Sequence, residues 1–174
     1  MFHDANLWIV GVTALALWLP QNAAHEGAHC LVHKWAGDEI LGFQPWPGRM
    51  ADGSFAFAHM SYRRTRPVPA RLDGWCSSAP QVSNTLVLLL LLPLHLVSVP
   101  QVLLSLLTGW ALVNFVDGAV NLGTFYRPAP KPGDSWRTTD GWRTASAWAM
   151  GPWTCRALTA LWHVGMGLHV LWLT

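Results

Sequence analysis

The sequence predicts an all-α membrane protein, a bundle of four transmembrane helices with a small β-hairpin between the first and second helices. Hydrophobic residues make up 52% of the 174 residues, whereas only 11% are charged. Soluble domains usually have roughly 25% charged residues. The charged residues are also segregated, so that long apolar stretches alternate with polar loops. This pattern is typical of a single domain embedded in a lipid bilayer.

Each of the four apolar stretches is long enough to cross the bilayer as a helix. At 1.5 Å per residue, about 20 residues cross a hydrocarbon core roughly 30 Å thick. We expect the spans at about residues 6–32, 75–97, 99–123 and 144–172. The fourth stretch is the least apolar, because it contains Arg156, His163 and His169.

The polar loop after the first span predicts a β-hairpin over about residues 40–62. Two strand-like stretches are separated by turn residues, Pro47-Gly48 and Asp52-Gly53. Phe55 and Phe57 alternate with small residues and share one face of the second strand, which favours a half-buried hairpin.

The basic residues predict the orientation of the chain. Ten of the eleven Lys and Arg residues fall in two loops, residues 33–74 and 124–143. Because basic loops remain in the cytoplasm, we expect both loops inside and both termini outside. We expect a multi-pass protein of a bacterial plasma membrane, with no nucleic-acid partner and an oligomeric state that the sequence leaves open. The three cysteines form no C-x-x-C pair, and we expect reduced thiols.

One short motif in the first span carries chemistry, His25-Glu26-Gly27-Ala28-His29. Histidines four residues apart lie on one face of a helix, so both rings can reach the same ion. A glutamate beside the first histidine can hold and deprotonate a water molecule on that ion. This is the H-E-x-x-H spacing of zinc hydrolases. The alternative is an accidental pair of histidines near a helix end.

The third span contains an unexpected acid, Asp117, which is the only aspartate in the four apolar stretches. An ionised carboxylate in a membrane needs a partner or a metal. In the predicted topology Asp117 lies at the same depth as the two histidines, on the cytoplasmic side. Two histidines and one carboxylate leave a tetrahedral Zn²⁺ one open position. The alternatives are a hydrogen bond between helices or an ion pair with Arg156. His33, one turn further, is expected to be solvated at the interface rather than to bind metal.

These features together resemble the site-2 protease family of intramembrane zinc metalloproteases. The order of the motif His25–His29, the 40–62 hairpin and Asp117-Gly118 is similar to the order in that family. The stretch Ala79–Asn84 is similar to the family's small-Gly-Pro-x-x-Asn element. The chain departs from the family at position 109, where Gly109 stands in place of an asparagine, and it has no PDZ-like insertion.

The resemblance implies an enzyme that hydrolyses a peptide bond in or near a transmembrane segment of a membrane-protein or peptide substrate. His25, His29 and Asp117 would bind Zn²⁺, and Glu26 would act as the general base. Two amides, Asn84 and Asn114, are candidates to hold the substrate or its oxyanion, and for Asn84 an interhelical hydrogen bond is an equal alternative. Asn22, one turn before His25, is a candidate to orient a ligand.

Other functions are compatible with the same residues. A metal-binding or metal-transporting membrane protein also uses histidines and acids inside a bundle. A non-catalytic scaffold that retains a zinc site is a further alternative. A di-iron oxidase is least favoured, because it needs more ligands at one depth.

Overall fold

The computed structural model describes residues 5–50, 53, 55–126 and 139–174, and most of them are helical. The helices are α1 (Leu7–Trp35), α2 (Ala70–Leu90), α3 (Gln101–Leu122), α4 (Asp140–Ala147) and α5 (Pro152–Leu173). Short 3₁₀ turns, Leu92–His95 and Gly123–Tyr126, extend α2 and α3. The Asn6 side chain caps α1, because its Oδ1 accepts hydrogen bonds from the Trp8 and Ile9 amides.

Three stretches of the described chain are long and apolar enough to cross a membrane, Leu7–Trp35, Ala70–His95 and Gln101–Tyr126. They agree with the first three predicted spans and confirm the membrane character of the chain. α1 and α2 each continue through an internal proline, Pro20 and Pro80.

The prediction of a fourth span over residues 144–172 is wrong. The region divides into two helices, α4 and α5, separated at residues 148–151, where Ala149 has a positive φ of 53°. With 22 residues α5 is about 33 Å long, which suffices to cross a bilayer. Its composition does not suffice, because Arg156, His163 and His169 lower its hydropathy, and α5 does not qualify as a span.

Helices α1 and α3 run parallel and in close contact. Asn6 bonds to Ser105 at one end, and His25 contacts Asp117 toward the other. Between these contacts Gly109 faces α1, where an added Cβ would lie 2.6 Å from the Thr13 Cβ. Only glycine permits this approach, so Gly109 sets how closely α1 and α3 pack against each other.

The predicted hairpin is present between α1 and α2. β1 (Glu39–Gln44) pairs antiparallel with β4 (His59–Arg63), and the short strands β2 (Gly48–Arg49) and β3 (Phe55–Ala56) continue it. Gly53 has a φ of 83° and its amide bonds to the Met50 carbonyl, as a turn requires. Asp52 and Ser54 lie outside the described residues. Phe55 and Phe57 contact each other edge to face, but both rings are more than half exposed.

α4 is held against the bundle at two glycines. A Cβ on Gly74 of α2 would collide with the Trp148 indole, and a Cβ on Gly141 would lie 2.9 Å from the Thr124 hydroxyl. Trp142 is buried and packs edge to face on Phe125, with ring centroids 5.1 Å apart. α4 is thereby fixed against α2 and the Gly123–Tyr126 turn.

A candidate metal centre

Two histidines on the inner face of α1 form the centre of the candidate site. His25 and His29 are one turn apart, and their ring centroids are separated by 5.3 Å. Both side chains are close to nine-tenths buried. Their position four residues apart on a regular helix brings both rings to one side, as the motif predicted.

The Nε2 atoms of both rings point at one carboxylate oxygen, Oδ2 of Asp140. The distance is 2.9 Å from His29 and 3.6 Å from His25. Asp140 is the first residue of α4, and its side chain is 20% exposed. His25, His29 and Asp140 therefore form a group of three ligands able to hold a metal ion.

The other nitrogen of each ring bonds to an acceptor. Nδ1 of His25 donates to Oδ2 of Asp117 at 3.0 Å, and Nδ1 of His29 donates to the Cys76 backbone carbonyl at 2.7 Å. With its proton on Nδ1, a neutral imidazole presents a lone pair at Nε2. An Nε2 lone pair that faces a carboxylate oxygen repels it unless a proton or a metal ion lies between the two atoms. Metal-binding histidines are oriented by carboxylates and carbonyls in this way.

The distances suit zinc. Zinc–ligand bonds of about 2.0–2.2 Å in a tetrahedron separate neighbouring ligand atoms by roughly 3.4 Å, and the separations of 2.9 and 3.6 Å bracket that value. Burial would raise the pKa of Asp140, but its interactions with His25 and His29 outweigh burial and hold this pKa well below its ordinary value. The carboxylate is therefore ionised, as a metal ligand must be.

Asp117 contacts His25, on the nitrogen opposite to Asp140. Its Oδ2 also accepts hydrogen bonds from Asn84 at 2.7 Å and Gln21 at 3.3 Å, and its Oδ1 accepts one from Asn121 at 3.2 Å. Asp117 is thus brought to the predicted histidine pair, where it orients His25 in this arrangement. Its role as a zinc ligand stays a prediction. Within the described part of the chain Asp117 pairs with His25 and not with Arg156, and Arg156 Nε donates to the Phe125 carbonyl.

Glu26 lies on the wall of a cavity of about 390 Å³ beside His25. His25 and Asp117 line the same cavity, and Phe57 of the hairpin covers part of it. The cavity brings the Glu26 carboxylate to the same space as His25, whereas His29 and Asp140 do not line it. Its size allows water and a short piece of extended peptide to enter.

The remaining predicted amides have different positions. Asn84 is buried and forms the interhelical hydrogen bonds of its alternative role, since its Oδ1 accepts from Gln21 and its Nδ2 donates to Asp117. Asn22 lines the cavity but donates to the Trp18 carbonyl of its own helix. Asn114 donates to the Trp110 carbonyl, and its side chain is not in the cavity.

Sequence reasoning missed Asp140 and Gln21. Asp140 lies in a polar loop by composition, where acids are expected on the surface, and the Asp140-Gly141 pair at a helix start was the only signal available.

His33 was expected to be solvated, and this is wrong. It is 2% exposed, because Tyr62 of the hairpin stacks on its ring at 3.7 Å. The three cysteines are free thiols, as predicted.

Comparisons with known proteins identify no relative of the chain. No protein-family model matches it, and no curated protein or solved structure is similar to it.

Proposed function

We propose that the chain is an intramembrane zinc metalloprotease, which hydrolyses a peptide bond in or near a transmembrane segment of a membrane protein. The observation that carries this proposal is the convergence of the His25 and His29 Nε2 atoms on one carboxylate, next to a cavity that contains Glu26. The three apolar helices support a substrate that also lies in the membrane.

His25, His29 and Asp140 would hold the zinc ion in this proposal. Asp117 and the Cys76 carbonyl fix the orientation of the two rings, at 3.0 and 2.7 Å. When bound, zinc would supply a Lewis acid that lowers the pKa of water toward ~7 and polarises the scissile carbonyl.

Glu26 would act as the general base and then as the general acid. It takes one proton from the attacking water, whose oxygen bonds to the carbonyl carbon, and gives that proton to the nitrogen as the C–N bond breaks. A transmembrane substrate must first unwind, because its amides are hydrogen-bonded within its helix. The cavity beside Glu26 has room for an unwound segment.

The test compares Glu26→Gln with the wild-type chain in detergent, on a panel of single-span membrane peptides analysed by mass spectrometry. We expect Glu26→Gln to keep its zinc and to lose cleavage by about 10²–10⁴-fold, the usual contribution of a general base. Glu39→Gln is the matched control, because Glu39 pairs with Arg63 on the exposed hairpin. Equal cleavage by Glu26→Gln, or no cleavage by the zinc-loaded wild type, would contradict the proposal.

A metal-transporting membrane protein is the second candidate, and one observation favours it. His29 and His33 are also neighbours, with ring centroids 6.5 Å apart, so three histidines form a row along α1. A row of ligands can pass an ion from site to site. Zinc flux into vesicles that persists in Glu26→Gln, without cleavage by the wild type, would support transport.

A further inference from the structure

A second cluster of ligand-type side chains lies one helical turn from the candidate centre. It comprises His33 of α1, Asp38 of the α1–β1 turn and Cys76 of α2. One ligand atom from each of the three residues lies within 4.8 Å of the others. The first centre uses none of these side chains, so the two groups are separate.

The cluster is closed to solvent and contains an unpartnered carboxylate oxygen. His33 and Cys76 are 2% and 0% exposed, and the Asp38 side chain is fully buried. Oδ2 of Asp38 accepts a hydrogen bond from His33 Nδ1 at 2.7 Å, but Oδ1 has no hydrogen-bond partner among the described residues. A buried carboxylate oxygen without a partner is costly. It is therefore a free ligand atom inside the cluster.

The backbone holds the three residues in place before any ion binds. Gly37 has a φ of 85°, and the turn it forms returns the chain so that the Asp38 amide donates to the His33 carbonyl at 3.0 Å. Tyr62 of β4 stacks on the His33 ring. Cys76 is fixed by its own backbone, since its carbonyl accepts the hydrogen bond of His29.

The charges of the cluster allow a divalent cation. Arg64 lies 3.3 Å from Asp38 Oδ2, but it is closer to Asp73, at 2.9 Å, which also lies 3.8 Å from Arg143. A divalent ion held by the Asp38 carboxylate and the Cys76 thiolate forms a neutral group. The positive charge that remains is on Arg64 and Arg143, whose side chains are 30% and 31% exposed, so it is solvated rather than buried.

We propose that His33, Asp38 and Cys76 form a second zinc site, distinct from the candidate catalytic centre. Imidazole, carboxylate and thiolate are all ligands of zinc, and a thiolate disfavours magnesium and calcium. The unpartnered Oδ1 gives the Asp38 carboxylate a second oxygen to offer. The site ties the end of α1 to α2, and Cys76 links it to the first centre through the carbonyl that orients His29.

Cobalt(II) substitution tests this proposal, because only the second site contains sulfur. The purified full-length chain is depleted of metal and loaded with Co²⁺, and the near-ultraviolet spectrum is recorded. We expect an intense thiolate-to-cobalt charge-transfer band in the wild type. The band should remain in the double variant His25→Ala/His29→Ala and disappear in Cys76→Ala. Zinc content should fall by one ion per chain in Cys76→Ala.

The other two thiols supply the control. The double variant Cys30→Ala/Cys155→Ala should keep the band, because neither residue belongs to the cluster. Absence of the band from the wild type would overturn the proposal, even if Cys76→Ala does not fold. A band that persists in Cys76→Ala, or that is lost with Cys30 and Cys155, would also overturn it. The proposed second site goes beyond the proposed protease function. The charge-transfer band is expected even in His25→Ala/His29→Ala, which lacks two ligands of the first centre, so the band does not depend on whether the chain hydrolyses peptides.

Discussion

The contribution of the two acids beside His25 can be separated by matched substitutions. Asp140 Oδ2 faces both Nε2 atoms, so Asp140→Asn removes the negative ligand itself. Asp117→Asn is milder, because an amide oxygen can still accept the hydrogen bond from His25 Nδ1. Loss of such an orienting partner lowers metal affinity by about 10–100-fold. This range corresponds to about 1.4–2.7 kcal/mol.

We therefore expect zinc affinity to fall by about 10–100-fold at most in Asp117→Asn and by more than this in Asp140→Asn. The assay is competition between the purified chain and a chromophoric chelator of known affinity. Glu39→Gln is the control for loss of one negative charge away from the site, and it should bind as the wild type does. A larger loss of zinc affinity in Asp117→Asn than in Asp140→Asn would contradict this assignment of the two acids. That result would make Asp117 the ligand and Asp140 an accessory acid.

Two further predictions concern the packing that builds the site. Gly109→Ala should destabilise the chain by about 1–3 kcal/mol, because its Cβ would meet Thr13 and force α1 away from α3; thermal unfolding in detergent measures this. Trp142→Ala should remove about 3–5 kcal/mol of packing from α4, and zinc affinity should fall because Asp140 lies two residues earlier.

Each of these predictions has a control and a contradicting result. Gly11→Ala has open space around its Cβ and should change stability by less than ~1 kcal/mol, in the stabilising direction. If Gly109→Ala and Gly11→Ala have the same melting temperature, the close contact at Gly109 does not limit the packing of α1 on α3. Trp153→Ala, at an exposed tryptophan, controls for Trp142→Ala. Unchanged zinc binding in Trp142→Ala would show that α4 does not position the ligand.

The sequence predicted the elements whose signals are local. The long apolar stretches mark α1, α2 and α3. Turn residues and alternating strands mark the hairpin. The distribution of Lys and Arg predicted the orientation of the first and third spans, and this orientation placed His25 and Asp117 at the same depth. The two side chains lie 3.0 Å apart.

The parts that sequence reasoning missed depend on tertiary contacts. In the sequence Asp140 is one acid in a polar loop, and the packing of Trp142 on Phe125 is the tertiary contact that positions it. His33 is buried because a distant residue, Tyr62, covers it. The sequence gives only a weak signal for the break between α4 and α5. Gly151 and Pro152 are the only helix-breaking residues at the junction of the two helices.

The proposed metal centre is tested by the zinc content of the wild-type chain and of His25→Ala/His29→Ala, measured by elemental mass spectrometry after purification without added metal. We expect the double variant to contain one zinc ion per chain fewer than the wild type and to cleave no peptide. Equal zinc content in the two proteins, or a wild-type chain without zinc, would contradict the proposed metal centre.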